Sequence, residues 1–310
     1  MSVPTNTQVS TAAIGNREDL TDIIDRITPT ETPFYSMIKK GSADGTKHEW
    51  QTQALRAAGA NAQTEGDDTT PTAVTQQVRL NNYTQILKEA ASVSGTQEAV
   101  NKAGQKSEMN KQMALKSLEM KLDLEYALTR NGVAVTGAAR QMRGIVGFMD
   151  AANTSVAAGY VAPNYVTNVA QTDGTTPRAF TEVLLKDTWQ KTYVSGGRPS
   201  VIMMGPTQKQ TFSTFTGNAQ RNKLAEDSKL QASIDVYIGD FGTLNAVVNL
   251  QQRSRDVFLI QPDKWELSVL RPWQKTPLAK NGDSERNQIL LETTLTCINP
   301  KANGGVLDVI

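Results

Sequence analysis

The chain has 310 residues, which is long enough for a sizeable core and for two domains. Its 32 basic and 31 acidic residues leave a formal charge of +1, which argues against a dedicated nucleic-acid-binding protein, because such binding needs a basic surface. One cysteine, Cys297, excludes an intrachain disulfide framework. The sequence has neither a long apolar run nor a signal-peptide pattern, so we expect a soluble, cytosolic product without a membrane span.

The N-terminal region predicts an arm that cannot form a core of its own. Asn16 is an N-cap candidate for a short amphipathic segment ending at Ile27, and Thr28-Pro29 stops it. Thr32 and Pro33 are expected to start a second helical turn. Because both segments are short, their apolar side chains must dock on the body of the protein or on another subunit; these include Leu20, Ile23, Ile24, Ile27, Phe34, Met37 and Ile38.

Two predicted strands, Lys47–Leu55 and Val74–Leu80, follow the arm. The segment between them, Arg56–Pro71, is small, polar and too long for a tight hairpin. An isolated hairpin is marginally stable in water. We therefore expect a long two-stranded arm that a neighbouring surface stabilises.

The stretch from Ser94 to Gly132 predicts the longest helix, with Gly104 as a break and Ser107 as a second N-cap. Asn131-Gly132 is expected to stop it in the left-handed conformation. Its apolar residues form two opposite stripes, separated by polar stripes that include Lys121 and Glu125. One apolar stripe holds Met113, Met120, Leu124, Ala127 and Leu128, and the other holds Leu115, Leu118, Leu122 and Tyr126.

Two apolar faces indicate a helix sandwiched between layers, or between its own sheet and a neighbouring subunit. We refer to this helix as the spine. An ordinary core helix of a large α/β domain is an equally good interpretation of the periodicity alone. A coiled coil is disfavoured, because a and d positions do not follow one seam.

Beyond the spine, Thr181 is expected to cap a helix that ends at Val194. A buried strand, Ser200–Met204, should precede a helix that starts at Gly205-Pro206 and closes at Gly217, and Gln220–Lys229 should be a charged loop. The remaining chain predicts β-structure, with a turn at Asn281-Gly282-Asp283. The expected strands are centred on Ile234–Ile238, Leu244–Leu250, Val257–Ile260, Leu267–Leu270 and Gln288–Ile298.

Catalytic and metal-binding chemistry has little support in the sequence. The only histidine, His48, lies on a predicted hairpin strand, and Cys297 lies in an apolar strand with no histidine to activate it. No phosphate-binding, hydrolase or zinc-protease motif is present. Asp67-Asp68 and Gly282-Asp283 are more typical of solvated loops than of a cation site. We therefore predict no catalytic residue, no cofactor and no metal.

The order of these parts resembles the major capsid proteins of tailed bacteriophages with the Hong Kong 97-type fold. The arm NREDLTDIIDRITPTETPFYSMI and the spine carry the resemblance, together with SVIMMGPTQKQTFSTFTGNAQR, IDVYIGDFG and the terminal LRPWQKTPLAKNGDSERNQILLETTLTCINPKANGG. It implies an α+β fold with five parts. These are an N-terminal arm (1–44), an extended loop (45–87), a peripheral domain with the spine (88–143), an axial domain (144–264) and peripheral strands (265–310).

The resemblance implies self-assembly into hexamers and pentamers of an icosahedral shell that encloses double-stranded DNA without binding it specifically. Scaffolding, portal and decoration proteins would be its partners, and the virion capsid, assembled in the host bacterial cytoplasm, its location. The candidate interface residues are Ile23, Ile24, Ile27, Phe34, Met37, Trp50, Arg79, Met113, Met120 and Leu124.

Two alternatives remain at this stage. An encapsulin-type compartment would use the same fold to enclose a cargo protein, and a small-oligomer α/β enzyme would use Asp283 and Glu285 near the predicted turn. The chain also differs from the type member of the family, since no long charged helical leader precedes the arm. Lys47, at the base of the predicted extended loop, gives no ground for expecting a Lys–Asn crosslink.

Overall fold

A computed structural model describes residues 28–68, 71, 73–100, 106–215, 236–280 and 282–310. Its helices are α1 (Pro33–Met37), α2 (Gly95–Ala99), α3 (Glu108–Arg130), α4 (Ile145–Phe148), α5 (Glu182–Val194) and α6 (Pro206–Ser213). Its strands are β1 (Lys39–Ser42), β2 (Lys47–Thr52), β3 (Val78–Tyr83), β4 (Gln85–Ser94), β5 (Thr154–Val156), β6 (Val201–Met204), β7 (Val236–Gly239), β8 (Gly242–Val248), β9 (Asp256–Ile260), β10 (Trp265–Pro277), β11 (Ser284–Cys297) and β12 (Gly304–Leu307).

The spine is α3, a helix of 23 residues that is roughly 34 Å long. Ser107 caps it as predicted, because its Oγ accepts a hydrogen bond from the Asn110 amide at 3.2 Å. Ser94 caps the short α2 in the same way through the Gln97 amide. The predicted break at Gly104 lies outside the described residues.

The predicted left-handed stop of the spine is wrong. Asn131 is extended, with φ −65° and ψ 117°, because its side-chain amide donates to the Met142 carbonyl at 2.9 Å and to Gln85. Residues 132–144 then lead back to the end of the helix, where the Gly144 amide donates to the Asn131 carbonyl at 2.8 Å. At Gly144 an added Cβ would lie 2.5 Å from the Leu128 carbonyl oxygen, so only glycine permits this approach.

The spine packs on a four-stranded sheet with the order β1-β10-β11-β4. β10 and β11 form a long antiparallel pair, β4 runs antiparallel to β11, and β1 runs parallel to β10. One of the two predicted apolar stripes, which includes Met113, Met120 and Leu124, is buried in the core under the helix. The opposite stripe is only half-buried in the single chain, and Tyr126 is 48% exposed.

A second sheet has six strands in the order β5-β12-β9-β6-β8-β7. One face of this sheet adds Val201, Met203 and Phe258 to the core under the spine. The other face packs against α5 and α6 around a second core that contains Trp189 and Phe212. The C-terminal strand β12 lies in this sheet, between β5 and β9, and not beside β11.

The pair β2 and β3 forms a separate antiparallel ribbon. The described residues of the segment that joins these strands have no strand pairing, and Leu55 and Val74 are 95% and 84% exposed. This confirms a two-stranded ribbon with a long, polar connection. Its strands differ from the predicted bounds, because β2 ends at Thr52 and β3 begins at Val78. Residues 53–77 are the connecting segment of the extended loop (45–87).

Candidate assembly interface

The arm helix is attached to the spine through a buried carboxylate. Glu125 Oε1 accepts a hydrogen bond from the Phe34 amide, and its Oε2 accepts one from the Tyr35 amide, both at 2.8 Å. These amides belong to the first turn of α1, where backbone donors have no partner within the helix. Thr32 makes no side-chain cap bond, contrary to the sequence prediction, because Glu125 supplies the cap from another helix.

Glu125 also bonds the loop after β8, since the Asn249 side-chain amide donates to its Oε1 at 2.6 Å. The carboxylate is fully buried, and burial raises its pKa above the ordinary value despite the three hydrogen bonds, which act in the opposite direction. Glu125, which the sequence places on a polar stripe of the spine, is therefore buried within the subunit. One side chain joins the arm, the spine and the six-stranded sheet.

The end of the spine is held by the same loop. Arg130 Nε donates to the Gln251 carbonyl at 2.6 Å, and Thr129 Oγ1 lies 3.4 Å from the same oxygen. The loop continues into Asp256, which is buried beside Arg253, with 3.3 Å between Arg253 Nε and Asp256 Oδ2. Burial is the main cause that raises the pKa of Asp256 to about 6.

The raised pKa of Asp256 predicts how the free energy of unfolding depends on pH. The folded pKa of about 6 lies above the ordinary 3.8, so the stabilising contribution of Asp256 is complete below pH 3.8 and is lost as the pH rises through about 6. Asp256→Asn removes the buried charge. Arg253 keeps its ion pair with Asp173, in which Arg253 Nη2 lies 2.6 Å from Asp173 Oδ1. At roughly 1.4 kcal/mol per pH unit, the variant should be more stable than the parent by about 2–3 kcal/mol at pH 7. At pH 4 the two proteins should be nearly equal. Urea unfolding of unassembled subunits at both values measures this, and a constant difference would contradict it.

The root of the extended loop is fixed to the body by Asn82, which is fully buried. Its Nδ2 donates to the Leu295 carbonyl at 2.7 Å and to the Arg143 carbonyl at 3.0 Å, and its Oδ1 accepts from the Arg143 amide at 2.8 Å. The Arg143 guanidinium is itself buried over the Phe148 ring and donates to the Tyr165 carbonyl. Strand β3 therefore leaves the body from a rigid, fully hydrogen-bonded point.

Trp50 fixes the other strand of the ribbon. Its Nε1 donates to the Cys297 carbonyl at 2.8 Å, and its ring lies 6.0 Å from that of Phe148. We predict that Trp50→Phe removes this hydrogen bond, keeps most of the apolar contact and costs about 1 kcal/mol of unfolding free energy. It should also speed amide exchange in β2 and leave α5 unchanged. Hydrogen exchange of the unassembled subunit tests this; faster exchange in α5 to the same extent would mean a global effect.

The candidate interface residues fall into three groups. Phe34, Met113, Met120 and Leu124 are buried within the subunit, so the apolar contacts seen for them are made inside the chain. Met37 and Trp50 are half-buried, and Arg79 is exposed, with its Nη1 3.6 Å from Glu49. The remaining three, Ile23, Ile24 and Ile27, lie outside the described residues. Their roles between subunits stay predictions.

Sequence reasoning missed Asn82, Glu125 and Asn249. Lys121 lies four residues before Glu125, a spacing that is typical of an exposed ion pair, so the sequence favours the wrong environment. Asn82 and Asn249 carry no motif, and the hydrogen bonds that attach their side chains to other elements join residues 46 to 213 positions apart.

The described residues offer little for catalysis or metal binding. No group of three or more His, Cys, Asp or Glu side chains among them lies close enough to hold a metal ion. Cys297 is buried, and burial raises the pKa of its thiol well above the ordinary value. Asp283 and Glu285, the residues of the enzyme alternative, lie exposed at the turn before β11 and at its start. No helix in the described part of the chain is both long and apolar enough to cross a membrane.

A family model and a known phage protein that match this chain are both described as major capsid proteins. The family model described as SU10 major capsid protein matches residues 3–309. The major capsid protein of Escherichia phage Phieco32 is 28% identical over 330 residues, covering 94% of this chain and 93% of that protein.

Solved structures agree with this match at the level of the fold. The Cyanophage A-1(L) capsid asymmetric unit has a TM-score of 0.67 at 10% identity, covering 97% of this chain and 98% of that one. The capsid of a native GTA particle has a TM-score of 0.66 at 9% identity, covering 99% and 100%. At such low identity these likenesses show a shared fold only.

Proposed function

This chain belongs to the SU10 major capsid protein family, and on that premise we propose that its subunits assemble into the icosahedral head shell of a tailed double-stranded DNA phage. The observation that carries the proposal is a family match over residues 3–309, which covers nearly the whole chain. The expected α+β fold of the Hong Kong 97 type is confirmed by the capsid structures that share it.

The extended loop exposes large apolar side chains in the single chain. It projects from a ribbon fixed by Asn82 and Trp50, yet its Leu55 and Val74 are almost fully exposed in the single chain. We propose that the loop lies over the peripheral domain of an adjacent subunit. A rigid root sets the direction of the loop, while the polar segment adapts to the surface that receives it.

The division into parts follows the two sheets. We propose that residues 144–264 form an axial domain that meets its copies around the five-fold and quasi-six-fold centres, and that residues 88–143 and 265–310 form the peripheral domain. The six-stranded sheet supports the first assignment, with β12 added to it from the C-terminal region. The spine and the four-stranded sheet support the second.

Assembly into hexamers and pentamers would rest on many modest contacts. A closed lattice joins such contacts, so that none needs to be tight by itself. We propose that Ile23, Ile24, Ile27, Met37 and Arg79 contribute to contacts between subunits. The buried Phe34, Met113, Met120 and Leu124 and the half-buried Trp50 would act through the subunit surfaces that they support.

The remaining partners follow from the same role. We propose scaffolding, portal and decoration proteins as partners during assembly in the host cytoplasm. A formal charge of +1 suits a shell that encloses DNA without binding it specifically. We propose no enzymatic activity, since Asp283 and Glu285, the residues of the enzyme alternative, lie exposed at a surface turn and strand start.

Expression of the chain, followed by sedimentation and negative-stain microscopy, tests this function. We expect shell-like particles or their large assembly intermediates, and particles from infected cells that contain DNA. Particles that contain an enzyme and no nucleic acid would support the encapsulin alternative. A monodisperse small oligomer that forms no larger species with any scaffold would contradict the proposal.

A further inference from the structure

A short hairpin after β5 exposes several valine side chains. We call residues 160–173 the valine hairpin. Two pairs of backbone hydrogen bonds, of 2.9 to 3.0 Å, join its two sides. The exposed valines, with exposed fractions of 51%, 59% and 48%, are Val161, Val166 and Val169. Single exposed valines occur on many protein surfaces, so the other features of the hairpin decide whether these form a contact surface.

The valine hairpin and the chain around it lack charge. Residues 151–172 contain no acidic or basic side chain, although 20% of the chain is charged. Residues 131–139, which include the exposed Val135, are also uncharged. Charged residues are common on surfaces that stay in solvent, whereas the centre of a protein–protein interface is depleted of them. The composition therefore favours a surface that another protein covers.

A buried guanidinium holds the tip of the valine hairpin in place. Arg143 is 1% exposed, and it donates to the Tyr165 carbonyl at 2.9 Å and to Asn168 Oδ1 at 2.7 Å. Asn168 also binds the segment after the spine, since its Oδ1 accepts from the Ala134 amide and its Nδ2 donates to the Ala134 carbonyl. The backbone of Arg143 is itself bound by Asn82 at the root of the extended loop. The tip is therefore fixed to two other elements.

The burial of Arg143 is a poor source of stability for the subunit. Its contacts are with neutral groups, no carboxylate among the described residues pairs with it, and burial lowers its pKa to about 10. A buried cation without a counter-ion costs free energy. The orientation that it gives the hairpin explains its presence better, because a preorganised surface loses less entropy when a partner covers it.

The chemistry of the surface favours a second copy of this chain as the partner. Permanent interfaces between copies of one chain are more apolar than interfaces with transient partners, and an uncharged surface causes no repulsion between identical copies. We propose that the tip of the valine hairpin, with Val166 and Val169, packs against a second copy of this chain in the assembled shell. The inference rests on the proposed assembly and adds one defined contact surface to it.

Site-directed crosslinking tests which molecule covers the hairpin. Val166→Cys places a reactive thiol at the tip, whereas Cys297 is buried, with the pKa of its thiol raised, and stays unlabelled. The variant is labelled with benzophenone maleimide, mixed with an excess of parent subunits, assembled and irradiated. Covalent dimers of this chain, identified by mass spectrometry, should be at least about tenfold more abundant in particles than in unassembled subunits. Crosslinks to a different protein only, or none in particles, would overturn the proposal.

Charge placed on the tip tests the same contact through assembly. Val166→Asp with Val169→Asp should leave the circular dichroism and urea unfolding of the subunit unchanged, because both side chains are exposed. It should lower the particle yield at least about tenfold, because covering unpaired carboxylates is costly. Val166→Thr with Val169→Thr keeps the branched shape without charge, and its yield should stay within about threefold of the parent. Parental yield for the aspartate variant, or an equal loss in the threonine variant, would overturn the proposal.

The same crosslinking separates this inference from the proposed function. Particles that form without crosslinks between hairpins and neighbouring copies would overturn the inference and leave the shell intact. A small oligomer that crosslinks between copies at the hairpin and never forms particles would uphold the contact and contradict the shell.

Discussion

Replacing Leu124 by alanine should cost the unassembled subunit about 3–5 kcal/mol of unfolding free energy, because Leu124 is fully buried in the core between the spine and the sheets. Leu122 lies on the opposite stripe and is only half-buried. Leu122→Ala should therefore cost about 1 kcal/mol in the subunit. If a neighbour covers the second stripe in the shell, Leu122→Ala should still lower the particle yield clearly.

The comparison of these two variants is a matched test, since the same side chain is truncated on two faces of one helical turn. Denaturant unfolding gives the stability of each subunit, and sedimentation gives its assembly yield. Equal and large losses of subunit stability would contradict the one-sided burial seen in the single chain. Parental stability together with parental yield for Leu122→Ala would contradict a covered second face.

Replacing Glu125 by alanine should be similarly damaging, with a loss of about 3–5 kcal/mol. The change leaves the Phe34 amide, the Tyr35 amide and the Asn249 side chain without their buried acceptor, and each such donor costs about 1–3 kcal/mol. Amide exchange in α1 should rise more than in α5, because the arm helix loses its cap. Hydrogen exchange and urea unfolding measure the two effects.

Glu125→Gln is the control for this prediction. It keeps one acceptor oxygen and the shape of the side chain, and it removes the ionisable carboxyl whose burial raises its pKa. Its loss of stability should be smaller than that of the alanine variant. Ionisation of a carboxyl with a raised pKa disfavours the folded state. The unfolding free energy of the parent should therefore increase relative to that of the glutamine variant as the pH falls. An alanine variant as stable as the parent would mean that Glu125 does not hold the arm.

Much of the secondary structure is predictable because local signals agree with it. Ser107 caps the spine as expected, and Thr181 caps α5 through the Leu184 amide. The predicted strands in the second half are present but differ in length, since Leu267–Leu270 is only part of β10. The predicted closure at Gly217, the strand start at Ile234 and the charged loop lie outside the described residues, as does Asn281 of the predicted turn.

Strand β4 was missed, and its sequence explains why. QILKEAASVS is rich in Leu, Lys, Glu and Ala, which favour helices, so local propensity gives no strand signal. Pairing with ten consecutive residues of β11, from Ser284 to Thr293, overrides that preference. The short β1, β5 and β12 were missed for the related reason that each depends on a distant partner strand.

The candidate interface is predictable only in outline. Periodicity correctly indicates that Phe34 and the Met113 stripe are buried, because it reports the apolar faces of helices. It cannot report a carboxylate such as Glu125 that is buried because backbone amides from another element need an acceptor. Contacts of this kind depend on the tertiary arrangement, which the order of residues does not display.

A reconstruction of the assembled shell by electron cryomicroscopy is the most direct test of the central claim, which is that the extended loop and the arm engage neighbouring subunits. We expect the loop between β2 and β3 to lie on the peripheral domain of an adjacent copy, with Asn82 and Trp50 holding its root as they do in the single chain. A shell in which each loop folds back on its own subunit and makes no contact with a neighbour would contradict the account.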